Sequence, residues 1–191
     1  MSATTPIWLP GVDRRPSPNC DARPDGVKVD LLVIHNISLP PGEFGGHWIE
    51  DLFTNRLDPS AHPYFAEIAD LQVSAHLLLH RDGTAIQFVP LEQRAWHAGV
   101  SSFCDRERCN DFSIGIELEG SDDTPFSHAQ YEALCGLTRE IQQRFPAITA
   151  ERIVGHSDIA PGRKTDPGPC FDWVRYRAAL AEMHQADPST G

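Results

Sequence analysis

The chain has 191 residues, of which 40% are hydrophobic and 23% are charged, as expected of one ordinary globular domain. Its formal charge of −11 at pH 7 disfavours general binding to nucleic-acid phosphates or to anionic lipid. No stretch reaches the ~18 apolar residues of a membrane span, and the start lacks the pattern of a signal peptide. We therefore expect a cytoplasmic protein without a nucleic-acid or membrane partner, whose five cysteines, scattered without metal-ligand spacing, stay reduced.

The first third of the chain predicts an irregular arm, a buried strand and a long connection. Residues 1–28 are rich in proline and should wrap around the domain without joining its core. The run VDLLVIHNIS, residues 29–38, is nearly all apolar, as in a strand that is covered on both faces, and His35 stands where the apolar run ends. Residues 39–73 are a connection of the length typical of a lid or binding loop, and within it residues 48–53 fit a short amphipathic helix.

The middle of the chain predicts further strands. Residues 74–90 have the pattern of a β-hairpin around an Asp-Gly turn. In FSIGIELEG, residues 112–120, apolar side chains alternate with Glu117 and Glu119. In a strand considered alone, these two glutamates would occupy a solvated face.

The last third predicts a helix, a strand and a final helix. Residues 127–145 carry an apolar stripe at helical spacing behind a capping box of Ser127 and Gln130. Residues 151–156 form a short strand, and Asp172 can cap a last helix through Met183. The elements together predict a single mixed α/β domain with a central mixed β-sheet flanked by helices. Its predicted parts within residues 1–191 are an N-terminal wrap (1–28), a core (28–183) and a tail (184–191) that frays after Ala186.

Two histidines and one aspartate suggest a metal site. His35 and His156 each end an apolar, strand-like run, so both imidazoles could emerge at the same edge of one sheet. Asp166 follows in a loop that prolines and glycines stiffen, and it could supply an oxygen. Two imidazoles and one carboxylate leave a fourth position open, which is the layout of catalytic zinc. Each histidine taken singly is more often a hydrogen-bonded core residue, so the prediction depends on the combination.

Glu117 and Lys164 are the candidates for the chemistry around such an ion. Glu117 lies on a strand otherwise devoted to burial and could accept a proton from water. Lys164 lies in the same loop as Asp166 and could stabilise the oxyanion of a tetrahedral intermediate, although an ordinary solvated lysine is the alternative. Zinc lowers the pKa of its water toward ~7 and polarises a carbonyl, so the combination predicts a hydrolase.

Other residues are candidates for substrate contact. His97 lies beside Trp96 in a loop, and Tyr64 lies in the long connection. Arg106 and Arg108 could grip a substrate carboxylate with two parallel hydrogen bonds on this acidic chain. Two other histidines are expected at the surface: His80 and His128.

Two other enzyme classes remain open at this point. A glycosidase would use Glu117 and Glu119 as its carboxylate pair, but residues two apart on a strand point the same way and do not flank a bond from opposite sides. A Cys-His hydrolase would instead be inhibited by iodoacetamide and not by a chelator.

Six stretches of the sequence resemble the type 2 N-acetylmuramoyl-L-alanine amidases. They are LLVIHNISLPPGEFGG, DPSAHPYF, VSAH, RAWHAGVS, RERCNDFSIGIELEG and GHSDIAPGRKTDPG, and the similarity covers about residues 10–180. This family shares its fold with peptidoglycan recognition proteins and phage T7 lysozyme. The resemblance implies a zinc hydrolase that splits the amide between the lactyl group of 1,6-anhydro-N-acetylmuramic acid and L-alanine in small cell-wall fragments. It further implies a cytoplasmic role in peptidoglycan recycling, with an indirect effect on β-lactamase induction.

The resemblance also implies roles for individual residues. The family's zinc ligands fall on His35, His156 and Asp166, its catalytic glutamate on Glu117 and its transition-state lysine on Lys164. Arg108 is favoured as a contact to the substrate peptide, whereas Gln72 stands where relatives carry Arg or Thr. Some relatives lack a metal ligand and only bind muropeptides, and the full set of positions here favours an enzyme over such a receptor. No heptad pattern demands a partner, so a monomer is expected.

Overall fold

A six-stranded sheet forms the centre of the computed structural model, which describes residues 5–186. The strands, numbered along the chain, are β1 (Asp13–Arg14), β2 (Cys20–Asp21), β3 (Leu31–Ile37), β4 (Leu77–Leu79), β5 (Ala85–Gln87), β6 (Arg94–Ala95), β7 (Ser102–Phe103), β8 (Arg106–Glu107), β9 (Ser113–Glu119) and β10 (Ile153–Gly155). The order in the sheet is β1-β5-β4-β9-β3-β10. Strands β4, β9, β3 and β10 are parallel, whereas β5 runs against β4 and β1 follows β5. The sheet is therefore mixed, as predicted.

Helices cover both faces of this sheet. Within residues 5–186 they are α1 (Trp48–Phe53), α2 (Pro63–Ile68), α3 (His128–Arg144), α4 (His156–Ile159) and α5 (Trp173–Ala186). Because side chains alternate along a strand, Leu32 and Ile34 of β3 join the main core with α3 and α5, while Leu31 and Val33 pack on the other side with Ile159 of α4. A second core cluster joins α1 and α2 to β4 and β5. The predicted mixed α/β domain with helices flanking a central sheet is confirmed.

Most of the predicted elements are present at the expected places. The capping box of α3 is complete, because Ser127 Oγ accepts from the Gln130 N–H and Gln130 Oε1 accepts from the Ser127 N–H, both at 3.0 Å. Asp172 caps α5 by accepting from the Arg175 N–H at 2.9 Å, and the helix continues three residues beyond Met183. The connection at 39–73 contains the predicted α1 and also α2, which was not predicted. The fraying expected after Ala186 lies outside the described residues.

The N-terminal arm does more than the irregular wrap that was predicted. It contributes β1 to the edge of the sheet and pairs β2 with β6, and Leu9 is 1% exposed within the main core. Arg23 is held inside the fold, where its guanidinium donates to the carbonyl oxygens of Leu91, Asn110, Asp111 and Ser113. Paired donors stabilise a buried guanidinium, and here Nη1 and Nη2 are paired while Nε has no hydrogen-bond partner among residues 5–186. A motif in the arm cannot reveal carbonyls that lie about 70–90 residues away.

The expectation of a solvated glutamate face on β9 is wrong. Glu119 is 3% exposed, and its carboxylate accepts from the backbone N–H groups of Gly45 and Arg81. His80, expected at the surface, lies between Glu119 and Glu50, with its ring nitrogens 3.4 Å and 3.6 Å from their oxygens. The loop and helices on this side cover the strand end that a single-strand pattern leaves open. His128 is exposed, as predicted.

Two compositional expectations can be checked within residues 5–186. All five cysteines are free thiols. No helix in this part of the chain has the length and hydropathy that crossing a bilayer requires.

Candidate metal centre and active site

The register of three parallel strands brings the key side chains together. His35 on β3 is the direct neighbour of Glu117 on β9, so the two side chains leave the same face of the sheet. On the other side of β3, Gly155 of β10 pairs with Ile34, and His156 follows immediately. The three residues therefore lie near the carboxyl ends of adjacent strands, which is where open α/β sheets bind their ligands.

The loop after α4 returns Asp166 to this edge. The N–H of Ser157 donates to the carbonyl of Asp166 at 3.0 Å, and Asn36 Nδ2 donates to the carbonyl of Pro167 at 3.0 Å. Gly155 permits the approach, because a Cβ there would lie 2.7 Å from the Pro167 ring. One backbone hydrogen bond and one from the Asn36 side chain thus hold the loop that carries Asp166, ten positions from His156 in the sequence.

Three potential ligand atoms converge at the strand ends. His35 Nδ1 lies 3.0 Å from His156 Nδ1 and 3.0 Å from Asp166 Oδ2. The third distance, between His156 Nδ1 and Asp166 Oδ2, is 3.1 Å. Both histidines are almost completely buried, and Asp166 is partly buried. The structure therefore brings together the three residues that the sequence suggested as a metal site.

The outer nitrogens of the two imidazoles each have a partner that can accept a proton. His156 Nε2 lies 3.1 Å from the carbonyl oxygen of Ala98, which accepts, and 3.4 Å from Arg163 Nη2, which donates; the shorter contact favours Nε2 as the donor to Ala98. His35 Nε2 lies 2.9 Å from His97 Nδ1, and a proton on His35 Nε2 leaves His97 Nε2 free to donate to Ser113 Oγ at 3.2 Å. Burial lowers the pKa of His35 to about 4, so its ring is neutral at pH 7.

With the ring protons on Nε2, the converging atoms are all lone-pair donors. Imidazoles that carry their only ring proton on Nε2 direct bare Nδ1 atoms toward each other and toward the Asp166 carboxylate. Acceptors at 3.0 Å with no proton between them repel each other, and a cation at their centre removes that repulsion. Zinc ligands at about 2.0–2.1 Å in a tetrahedron lie about 3.3 Å apart, close to the spacing here. The residues present therefore fit a zinc ion with one position open.

Glu117 stands beside these ligands without being one of them. Its Oε1 lies 3.9 Å from His35 Nδ1, and its Oε2 is buried with no hydrogen-bond partner among the described residues. Burial, reinforced by the charge of Asp166, raises the pKa of Glu117 well above its usual value. A carboxyl group with a raised pKa and an unengaged oxygen is suited to take up and return a proton near neutral pH.

Lys164 lies in an open groove beside the site. The groove has a volume of about 770 Å³ and is lined by Asn36, Ser38, Pro41, Gly42, Ser121, Asp122, Asp123, Thr124, Arg163, Lys164, Thr165 and Asp166. The charge of Lys164 opposes the rise that burial causes in the pKa of Glu117, so the ammonium is within electrostatic reach of that carboxyl. An apolar groove of about 650 Å³ between α3 and α5 has no acidic or histidine side chain among its described lining residues.

The proposed substrate contacts have different surroundings. Tyr64 is in the first turn of α2 and packs partly buried against the second core cluster. Trp96 is partly buried and its indole N–H donates to Asp21 at 3.3 Å. Within residues 5–186, neither side chain forms a hydrogen bond or a ring contact with the converging ligands. His97 differs from them, because its ring contacts the ring of His35 directly. Substrate contact by Tyr64, Trp96 and His97 remains a prediction.

The two loop arginines, Arg106 and Arg108, have different surroundings. Arg106 pairs with Asp30 at 2.7 Å and covers the ring of Phe112 at 3.7 Å, so it stabilises the fold. Arg108 adopts φ +62°, has 71% of its side chain exposed, and contacts Asp111 through Nε at 3.3 Å. Of the two, Arg108 is the one available to a substrate carboxylate.

Some residues that support the site were not selected from the sequence. Asn36 was visible as a polar residue inside an apolar run, and its amide joins the Pro167 carbonyl to Asp122. Asn110 gave no signal, because its amide oxygen accepts from backbone groups 12 and 13 residues away. His76 is completely buried behind the site, where its Nδ1 accepts from the Gly115 N–H.

Comparison with protein families gives a match over most of the chain. The profile of the N-acetylmuramoyl-L-alanine amidase family matches residues 25–169. Among curated proteins, the 1,6-anhydro-N-acetylmuramyl-L-alanine amidase AmpD of Escherichia coli K12 is 59% identical over 175 residues, which cover 92% of this chain and 95% of the relative.

Solved structures give the same result. The crystal structure of a selenomethionine AmpD derivative superposes with a TM-score of 0.88 at 61% identity and covers 91% of this chain and 96% of that one. The amidase AmiD of E. coli, solved with the substrate anhydro-N-acetylmuramic acid-L-Ala-D-γ-Glu-L-Lys, superposes with a TM-score of 0.60 at 31% identity. That match covers 83% of this chain and 60% of AmiD.

Proposed function

Because the chain belongs to the N-acetylmuramoyl-L-alanine amidase family and is an amidase of that kind, we propose that it is a zinc hydrolase of anhydro-muropeptides. The bond cut is the amide between the lactyl group of 1,6-anhydro-N-acetylmuramic acid and L-alanine. The observation that carries this proposal is the convergence of His35, His156 and Asp166 beside Glu117. The name of the AmpD relative and the muropeptide bound to AmiD support the choice of substrate.

Three residues would hold the ion. His35 and His156 supply their Nδ1 atoms, and Asp166 supplies a carboxylate oxygen. When bound, zinc would polarise the scissile carbonyl and acidify a water molecule. The partly buried position keeps the ligands away from bulk solvent while the neighbouring groove stays open to a substrate.

Two side chains would perform the proton transfer and charge stabilisation. Glu117 accepts a proton from the attacking water through its unengaged oxygen, and it returns that proton to the alanine nitrogen as the amide bond breaks. Lys164 stabilises the negative charge that develops on the carbonyl oxygen. No covalent bond to the protein forms, which agrees with cysteines that burial makes poor nucleophiles: the pKa values of Cys109 and Cys135 are raised.

The remaining parts of the proposal concern substrate and setting. Tyr64, Trp96, His97 and Arg108 are proposed substrate contacts, with Arg108 directed at a peptide carboxylate. The whole chain, residues 1–191, would act as one monomeric zinc amidase domain on small soluble fragments in the cytoplasm. Its role there would be peptidoglycan recycling, with an indirect influence on β-lactamase induction.

Mass spectrometry of the products tests the reaction. The protein, anhydro-muramyl tripeptide and zinc should give free anhydro-muramic acid and free tripeptide, whereas pretreatment with a chelator should abolish both products and added zinc should restore them. Cleavage that survives complete removal of zinc contradicts the metal proposal, and cleavage of a different bond contradicts the substrate proposal.

Elemental analysis tests the ligand assignment. His35→Ala should lose bound zinc, and His128→Ala, whose side chain is 75% exposed on α3, should keep it. Equal zinc content in the two variants would remove His35 from the ligand set.

A further inference from the structure

One short segment contacts the outer nitrogens of both ligand histidines. His97 Nδ1 lies 2.9 Å from His35 Nε2, and the carbonyl oxygen of the next residue, Ala98, lies 3.1 Å from His156 Nε2. The ligands come from β3 and from the start of α4, which are 121 residues apart. Two consecutive residues therefore contact the outer nitrogens of both imidazoles, and Arg163 Nη2 supports the second contact by donating to the Ala98 carbonyl at 2.7 Å while lying 3.4 Å from His156 Nε2.

Asn110 holds this segment in place. Its side-chain Oδ1 accepts from the N–H of His97 at 3.1 Å and from the N–H of Ala98 at 2.8 Å. Asn110 itself lies in a 3-10 turn, Cys109–Asp111, whose backbone carbonyls at 110 and 111 receive the buried Arg23 guanidinium. A single amide oxygen thus fixes two backbone groups at once.

The ring of His97 is held by contacts with strand β9. A Cβ on Gly115 would lie 2.6 Å from that ring, so the imidazole packs directly on the bare backbone of β9. Its Nε2 lies 3.2 Å from Ser113 Oγ. With one nitrogen paired to Ser113 and the other to His35, the ring orientation is determined at both ends.

We propose that His97 and Asn110 are positioning residues that hold His35 and His156 as their Nε2–H tautomers and so present both Nδ1 lone pairs to the metal. This inference rests on the metal site of the proposed function. A partner that orients a ligand histidine typically contributes 10–100-fold in metal affinity. His97 acts through His35, and Asn110 acts through both ligands because it holds the backbone from which the His97 ring and the Ala98 carbonyl extend.

Matched substitutions separate the hydrogen bond from packing. Asn carries an oxygen on the same branch as His Nδ1, and Leu has the shape of Asn without a polar atom, so His97→Asn keeps an acceptor for His35 and His97→Leu removes it. The pair Asn110→Asp and Asn110→Leu makes the same comparison for the two backbone N–H groups. Zinc affinity, measured by chelator competition, should fall about 10–100-fold in each Leu variant and stay within about threefold of wild type in its polar counterpart.

Spectroscopy supplies a readout that general loss of stability does not change. The visible spectrum of the cobalt-substituted protein should shift in His97→Leu and be restored in His97→Asn. Long-range ¹H–¹⁵N spectra of the wild-type protein should give both His35 and His156 as Nε2–H tautomers, with or without zinc. This measurement requires no variant and decides the question even if a Leu variant fails to fold.

The outcomes distinguish the positioning role of His97 and Asn110 from the proposal that the protein binds zinc. If the wild-type protein binds no zinc, the metal proposal fails, while the tautomers in the metal-free protein still test the positioning role. If zinc binds and His35 carries its proton on Nδ1 in the metal-free protein, the inference is overturned. Equal zinc affinity in the Leu and polar variants overturns it as well.

Discussion

The most quantitative prediction concerns acid unfolding and His76. This histidine is completely buried, its Nδ1 accepts from the Gly115 N–H at 3.0 Å, and its Nε2 lies 3.1 Å from the Gln93 carbonyl, to which it donates. Burial lowers the pKa of His76 to about 3, and the neighbouring Arg23 charge adds to the effect. The unfolded chain restores an ordinary histidine pKa of about 6.5.

The sign and size of the effect follow from proton linkage. The folded pKa lies below the unfolded one, so the neutral ring contributes its full stability above pH 6.5 and loses it as the pH falls toward 3. Each pH unit in that window costs about 1.36 kcal/mol. At pH 5 the loss from this residue is therefore about 2 kcal/mol relative to neutral pH.

Urea unfolding of wild type and His76→Asn between pH 7.5 and 5 measures the effect. Asn can still accept from the Gly115 N–H but does not titrate, so the variant should be less stable at pH 7.5 and should lose about 2 kcal/mol less than wild type on acidification. His128→Asn, on the exposed face of α3, is the control and should keep the wild-type slope. Parallel pH profiles for wild type and His76→Asn would refute the reasoning. If the Asn variant does not fold, NMR titration of wild-type His76 gives the same test, and a pKa near 6.5 would contradict it.

Three further substitutions probe the site itself. Glu117→Gln should retain zinc by elemental analysis and lose about 10²–10⁴ in kcat, since an amide cannot accept the water proton; wild-type turnover would remove Glu117 from the mechanism. Lys164→Met should lower kcat by about 10²-fold in a steady-state assay, and an effect confined to KM would instead mean a binding role. Gly155→Ala forces a methyl group against Pro167, so it should cost about 1–3 kcal/mol in thermal unfolding and weaken zinc binding, whereas Gly136→Ala in α3 meets nothing within 4 Å and should not destabilise. Unchanged zinc binding in Gly155→Ala would mean that the Asp166 loop tolerates the displacement.

Much of the fold could be predicted because the strong signals are local. The apolar run ending at His35, the alternation around Glu117 and the complete capping box of α3 each depend on residues within one element. The same locality made His35 a candidate metal ligand and Glu117 a candidate proton acceptor. Their distance of 3.9 Å followed only from the strand register, which depends on the packing of the whole sheet.

What could not be predicted depends on contacts between distant parts of the chain. Glu119 looked solvated because a strand pattern does not contain the loop that covers it, and the buried Arg23 looked like an arm residue because its carbonyl partners are far along the chain. The donor nitrogen of each ligand histidine was equally hidden. Its partners are His97, which the sequence suggested only as a substrate contact, and the Ala98 carbonyl, which carries no signal in its own segment.

The embedded guanidinium of Arg23 has a practical consequence for anyone who shortens this protein. A protein truncated to start at Pro24 would retain every side chain with a proposed catalytic or metal-binding role. It would nevertheless lack the guanidinium of Arg23, which links the 3-10 turn at Asn110 to Ser113. Both of these residues support the metal site. The segment from residue 5 to Arg23 thus stabilises the site although it contributes none of the candidate catalytic residues, and fusion tags are better attached ahead of this segment than in its place.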